Sequence, residues 1–357
     1  MDVGVFIDAR MGIAESAQMV EAAGFSHLWV YDSPLVFGDV WMALGQAATA
    51  TSRIRLGPGV THPYARSSVA TAQAHATLSV AAPGRTVLGF GTGFSARRTL
   101  GMKAATQAEL IEHVRTVRGL LRGEWADYRE GDQTHPVRFV NQDGPWLRMG
   151  EPTETWISAF GPKGQRRAGE VADGVMIRWT GPEGVAEARA RFAAGAEAAG
   201  RDPSTLKIGV LFAVYPTVDD PDLEGEDVRA AIGPLVRSRL SYLVASHESA
   251  ADVLPAYRPG FEAYARHRDA LDPRSRDSEM YEGYLVHTPA FLRDVITADA
   301  MRAVAFIDRP DGVAGELQRM QDAGVDHVAL QIAGPPKTWC DCMAAEVLPQ
   351  LASAPVA

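Results

Sequence analysis

Short β-branched runs alternate with longer amphipathic stretches along most of this chain, the pattern of βα units around a parallel sheet. Strands are predicted at 3–7, 27–31, 54–60, 86–90, 155–159, 174–178, 206–214 and 326–332. Helices are predicted between them at 12–23, 40–51, 67–81, 106–122, 163–171, 182–199 and 312–323, with 339–351 closing the series. Two stretches break the rhythm: a polar segment dotted with Gly and Pro at about 125–153, and a charged segment with helical patterning at about 218–289. The fold class expected is α/β, a single (β/α)8 TIM barrel domain over residues 1–357 with insertions at those two places; a doubly wound sheet is the competitor.

A faint internal repeat accompanies the pattern. Glu21-Ala22-Ala23-Gly24 leads into His27 much as Gln321-Asp322-Ala323-Gly324 leads into His327. In both, Gly follows a helix end, where a left-handed residue is needed.

Charge removes several functional classes. The chain carries 35 Lys+Arg against 44 Asp+Glu, a net charge of −9, with no basic run. That disfavours nucleic acid and anionic membrane surfaces as partners. No apolar run approaches the roughly 18 residues of a membrane span. Asp2, Asp8, Arg10 and Glu15 interrupt any leader-like apolar region, so a cytoplasmic location is expected. The two cysteines, Cys340 and Cys342, read as incidental thiols. With nine scattered histidines and no His-Glu-x-x-His, no metal is expected.

In a barrel, chemistry sits at the C-terminal ends of the strands. Those ends are rich in small residues, aromatics and backbone donors, which suits a large planar cofactor better than hydrolysis. Gly89-Phe90-Gly91-Thr92-Gly93 lacks the spacing and downstream acid of a dinucleotide fingerprint. It reads instead as a strand stripped of side chains so that a ring can approach its backbone. Ser158-Ala159-Phe160-Gly161-Pro162-Lys163 opens a helix after a strand, an arrangement that offers free N–H groups and a Lys to an anion. Leu56-Gly57-Pro58-Gly59-Val60-Thr61-His62-Pro63-Tyr64 packs two glycines and two prolines into a strand end, a mark of unusual backbone geometry. His62 is the candidate for proton handling, because imidazole ordinarily titrates near neutral pH.

These segments, together with 100–101, 120–124, 168–174 and 323–326, resemble the bacterial luciferase-like flavin oxidoreductases and their methylenetetrahydromethanopterin-reductase-like branch. The resemblance spans 1–215 and 310–335. It implies a (β/α)8 barrel with an isoalloxazine ring across the strand ends and a cis peptide at Gly59–Val60 against one ring face. Gly59, Val60, Thr61, Gly91 and Thr92 would lie by the ring, and Ser158, Gly161, Pro162 and Lys163 by the cofactor phosphate. Asp32 stands where the family often has a polar residue near the ring, and with His62 it forms the candidate catalytic pair. Tyr64 and Trp179 would line the substrate side.

Deazaflavin-using members commonly carry an acid after Gly-Thr-Gly, whereas this chain has Phe94. An apolar Phe94 over the ring suggests a dry pocket of the kind that protects a flavin peroxide. The leading expectation is therefore a monooxygenase that uses reduced FMN from a separate flavin reductase, plus oxygen, on a small organic substrate. The alternatives are a hydride-transferring reductase or dehydrogenase dependent on a deazaflavin coenzyme, and a flavin-binding barrel without turnover. A homodimer through the early helices is expected from the same resemblance. Substrate specificity is left to the two unmatched insertions.

Overall fold

Large and small residues alternate on the inward face of the predicted strands, and that alternation lets the sheet close around a filled interior. The computed structural model describes residues 1–217, 223 and 225–351. The start of the second insertion, at about 218, and the final six residues lie outside that set.

The elements are β1 (Asp2–Ile7), α1 (Ile13–Ala22), β2 (His27–Val30), α2 (Val40–Ala50), β3 (Arg55–Pro58), α3 (Ser68–Ala81), β4 (Val87–Phe90), α4 (Phe94–Arg98) and α5 (Gln107–Leu121). A hairpin of β5 (Ala126–Glu130) and β6 (Gln133–Val137) follows. The barrel resumes with β7 (Glu154–Ser158), α6 (Pro162–Gly169), β8 (Gly174–Arg178), α7 (Pro182–Ala198) and β9 (Lys207–Pro216). The second insertion holds α8 (Glu226–Ser246), α9 (Arg258–Ala270), α10 (Arg276–Glu279), α11 (Ala290–Arg293) and α12 (Ala298–Arg302). β10 (Phe306–Asp308), α13 (Pro310–Asp322), β11 (His327–Ile332) and α14 (Pro336–Cys342) complete the chain.

Eight parallel strands run in the order β3-β2-β1-β11-β9-β8-β7-β4. Two single bridges, Leu56–Thr86 and Thr61–Phe90, close the seam between β3 and β4. This is the expected barrel. The short strand β10 was not foreseen; it extends the sheet beside the far end of β9. α4 also escaped the periodicity, because five residues are too few to show a helical stripe.

Trp29 and Trp156 fill the middle of the barrel with Phe6, Val87, Met176 and Ala329. Glycines make room for them: a Cβ on Gly174 or Gly209 would stand 2.3 or 2.8 Å from the Trp156 indole. Below this layer, Glu154 pairs with Arg55 at 2.7 Å and with Lys207 at 3.1 Å. Outward residues of the same strands, such as Val5, Leu28, Leu56, Leu88, Ile177 and Val210, form the main core against the helices. The second insertion has its own core around Ile232, Leu240, Leu292 and Met301. No described helix is long and apolar enough to cross a membrane.

The two insertions sit at opposite ends of the barrel. The first joins the end of α5 to the start of β7, and Thr116 of α5 donates a hydrogen bond to the carbonyl of Asp127 at 2.6 Å. It therefore lies at the N-terminal end of the strands, away from the chemistry, and the expectation that it carries substrate specificity fails on geometry. The second follows β9 and lies over the C-terminal mouth.

Candidate active site at the barrel mouth

Backbone pairing continues past the end of β3. Gly59 N–H donates to the Val30 carbonyl (2.7 Å), Thr61 N–H to the Gly89 carbonyl (2.9 Å), and Gly91 N–H to the Thr61 carbonyl (2.9 Å). The Gly59–Val60 peptide is cis, as the resemblance implies. The glycines are not left open for a cofactor ring, however. A Cβ on Gly59 would meet Phe6 at 2.5 Å and Trp29 at 2.7 Å, and one on Gly91 would meet Val60 Cγ2 at 2.7 Å. The barrel's own side chains occupy that space, and half-buried Val60, seated over Gly89 and Gly91, is the apolar surface facing the mouth.

Around Val60 stand polar atoms that the protein itself leaves unmatched. Asp32 Oδ2, Thr61 Oγ1 and His62 Nε2 are buried without hydrogen-bond partners. Burial raises the Asp32 carboxyl above the usual range, opposed by the nearby Thr61 hydroxyl, which stands outside hydrogen-bond geometry, and by the charge of Arg66. His62 accepts from Tyr64 N–H at Nδ1 (3.3 Å), so the neutral ring carries its proton on the unpartnered Nε2. Burial, helped by the charge of Arg97, pushes its pKa down to about 4. Burial thus keeps the His62 ring neutral near pH 7, while it moves the Asp32 carboxyl toward that range. Tyr31, whose hydroxyl accepts from Gln331 Nε2 at 3.0 Å, closes the β2–β11 side.

Across the mouth, Gly161 caps α6 with Pro162 in the first turn, and Lys163 is exposed. A Cβ on Gly161 would meet nothing within 4 Å, so the helix start is accessible. Ser158 and Thr92 are half-buried beside it at the ends of β7 and β4.

The predicted substrate-side aromatics are placed differently from expectation. Trp179 donates through Nε1 to Glu316 on α13 at 2.5 Å and packs in the outer core. It follows the outward phase of Val175 and Ile177. Arg178, in the inward phase with Met176, reaches the mouth instead, its guanidinium 4.6 Å from the Phe160 ring centroid. Tyr64 lies on the rim, its hydroxyl on Glu109 and its ring 4.0 Å beneath Arg97. Phe94 packs on Tyr242 of α8 at 4.9 Å, with the Arg98 guanidinium 5.2 Å from its ring centroid. It ties α4 to the insertion.

Tyr284, which sequence reasoning missed, joins Ser95 (2.9 Å) to Ser238 (2.8 Å) and so links α4 to α8. A cavity of about 400 Å3 opens between Leu35, Val36, Thr99 and the 278–286 segment. Arg178 shares the phase of Met176 because side chains alternate along a strand, but the apolar run of β8 does not mark which phase faces inward. Tyr284 had no signal, because nothing in its local sequence announces what it will meet.

At the other end of the barrel, Asp2, His27 and His327 bring possible ligand atoms within 4.8 Å of one another. Trp29 Nε1 donates to His327 Nε2 at 2.9 Å, which places the proton of the neutral ring on Nδ1. That nitrogen is then a donor and offers no lone pair to a metal.

A filled eight-stranded parallel barrel with polar groups gathered at its C-terminal mouth has the form of a TIM-barrel enzyme. The chain belongs to the luciferase-like monooxygenase family, whose model matches residues 9–327. It is 27% identical over 342 residues to 5,10-methylenetetrahydromethanopterin reductase of Methanolobus tindarius, covering 92% of this chain and 91% of that one. It is 36% identical over 212 residues to the F420-dependent hydroxymycolic acid dehydrogenase of Mycobacterium tuberculosis, 56% of this chain and 57% of that one. Among solved structures, the coenzyme F420 dependent tetrahydromethanopterin reductase of Methanopyrus kandleri superposes with a TM-score of 0.69 at 20% identity, covering 98% and 99% of the two chains.

Proposed function

We propose that the protein is a deazaflavin-coenzyme-dependent oxidoreductase that moves a hydride to or from a carbon centre of a small organic substrate. The observation that carries this reading is Asp32, a carboxyl with one buried, unpartnered oxygen and a raised pKa at the barrel mouth. Hydride transfer to a carbonyl-like carbon requires a proton donor nearby, and the reverse reaction requires an acceptor. The reduced-FMN and oxygen reading rested on Phe94 as an apolar cover, and Phe94 is engaged by Tyr242 and Arg98 instead. The relatives named for a reductase and an F420-dependent dehydrogenase point the same way.

The residues present fit such a coenzyme. Val60 offers an apolar shelf, Thr61 and His62 offer unpartnered polar atoms beside it, and the α6 start with Lys163 offers N–H groups and a cation to a phosphate. When bound, the coenzyme supplies the hydride-carrying ring. The chain supplies position and protons: Asp32 holds or releases a proton at Oδ2, neutral His62 presents Nε2–H as a fixed donor, and Arg178 and Tyr284 bound the substrate side.

Titration with oxidised deazaflavin coenzyme tests the proposal. Saturable quenching of its fluorescence and coenzyme turnover with a panel of alcohols and ketones are expected. Oxygen uptake with reduced FMN above the uncatalysed rate, with no deazaflavin binding, would overturn it.

A further inference from the structure

The second insertion encloses a cavity of its own, of about 300 Å3, bounded by Arg237, His267, Glu279, Glu282, Thr288 and Phe291 among others. Glu279 and Glu282 also border the mouth cavity, so the 279–282 segment is a partition between the two. Arg237, on α8, is only 2% exposed. Its Nη2 donates to the Met280 carbonyl at 3.2 Å, and Tyr264 donates to the same carbonyl at 2.7 Å. Nε and Nη1 of Arg237 have no partner, and neither does the buried Thr288 hydroxyl.

A buried guanidinium with unmatched N–H groups is costly; the charge of Glu282 acts on it across the cavity but makes no contact with it, and leaves Nε and Nη1 unmatched. Arg237 forms no ion pair among the described residues. The open space beside it is where an acceptor can enter. We infer that this cavity is a binding site for a small organic carboxylate, held by Arg237 and Thr288. A planar carboxylate–guanidinium contact suits the donor set. The two glutamates at the partition repel an anion in proportion to its charge, so they tell against a doubly charged phosphate more than against a singly charged carboxylate. His267 and Phe291, stacked with centroids 3.9 Å apart, supply a flat wall for an aromatic or other planar body.

Benzoate is the probe, titrated calorimetrically into the full-length protein. The expectation is saturable one-site binding that Arg237→Met weakens at least about tenfold, that Arg178→Met leaves unchanged, and that benzyl alcohol does not reproduce. Circular dichroism checks the fold of each variant. Should Arg237→Met fail to fold, Ala290→Trp narrows the cavity from its rim without touching the guanidinium and must weaken benzoate equally. Absence of saturable binding up to about 50 mM, unchanged affinity in folded Arg237→Met or Ala290→Trp, or loss of binding in Arg178→Met alone would overturn the site. Inorganic phosphate binding as tightly as benzoate would overturn the carboxylate assignment.

Discussion

Val60 occupies the space that a side chain on Gly91 would need: a Cβ there would stand 2.7 Å from Val60 Cγ2. Gly91→Ala is thus an overpacking change aimed at the shelf of the mouth. Such changes cost about 1–3 kcal/mol, and a β-branched neighbour cannot swing aside easily. Coenzyme affinity measured by fluorescence should fall about tenfold, and Val60→Ala in the same chain should restore much of it. A double variant no better than Gly91→Ala would show that the two residues are not coupled.

Asp32→Asn separates stability from chemistry. A carboxyl whose folded pKa is raised contributes most below its unfolded value, and that contribution is lost as pH rises through the folded pKa. At pH 7 the substitution should therefore raise the melting temperature by a few degrees, and the gain should vanish toward pH 4. Turnover should fall by about 10²–10⁴, the usual contribution of a positioned acid or base. Unaltered turnover would remove Asp32 from the mechanism.

Buried neutral histidines make the fold acid-sensitive. Burial pushes His62 and His113 down to about 4, and His75 and His327 down to about 3; burial and its charged neighbours also hold His27 well below the ordinary value. The unfolded chain binds these protons near pH 6.5 and the folded chain does not, so stability is complete above 6.5 and falls as pH drops toward 4. Each histidine contributes roughly 1.4 kcal/mol per pH unit within that window. Urea unfolding at pH 5 against pH 7 should show a large loss, with several protons taken up on unfolding at pH 5. A flat profile between those values would contradict the buried neutral assignments.

Lys163→Ala should weaken coenzyme binding by about 1–2 kcal/mol at low salt and by less at high salt, because the exposed ammonium acts through a screened charge-assisted contact. A dissociation constant that matches wild type at every ionic strength would separate Lys163 from the phosphate.

Met11 and Met42 lie 70% and 61% exposed on the α1–α2 side of the barrel. Sedimentation at micromolar concentration should show a dimer that Met42→Glu dissociates. A wild-type protein that sediments as a monomer would refute the arrangement.

The barrel was legible in the sequence because the strands are short apolar runs set between longer amphipathic stretches, and several helices carry their own caps, so local residues suffice. Ser67 capping α3 and the Thr106–Glu109 capping box of α5 are examples. The placement of the first insertion was also determined by the sequence, since it follows a helix and precedes a strand, although only the strand-end rule applied to that order reveals which face it occupies. That Arg178 and Trp179 point opposite ways follows from strand geometry; which of them faces inward does not, because Val175, Met176 and Ile177 are all apolar. Tertiary structure alone decided the rest. The filling of Gly59 and Gly91 by Phe6, Trp29 and Val60, the bridge from Tyr284 to Ser95, and the lowered pKa of buried His62 all depend on groups distant in the chain or on burial. A pKa follows the dielectric and charges around a group, and the space beside a glycine follows its neighbours; neither is a property of the residue's own place in the sequence.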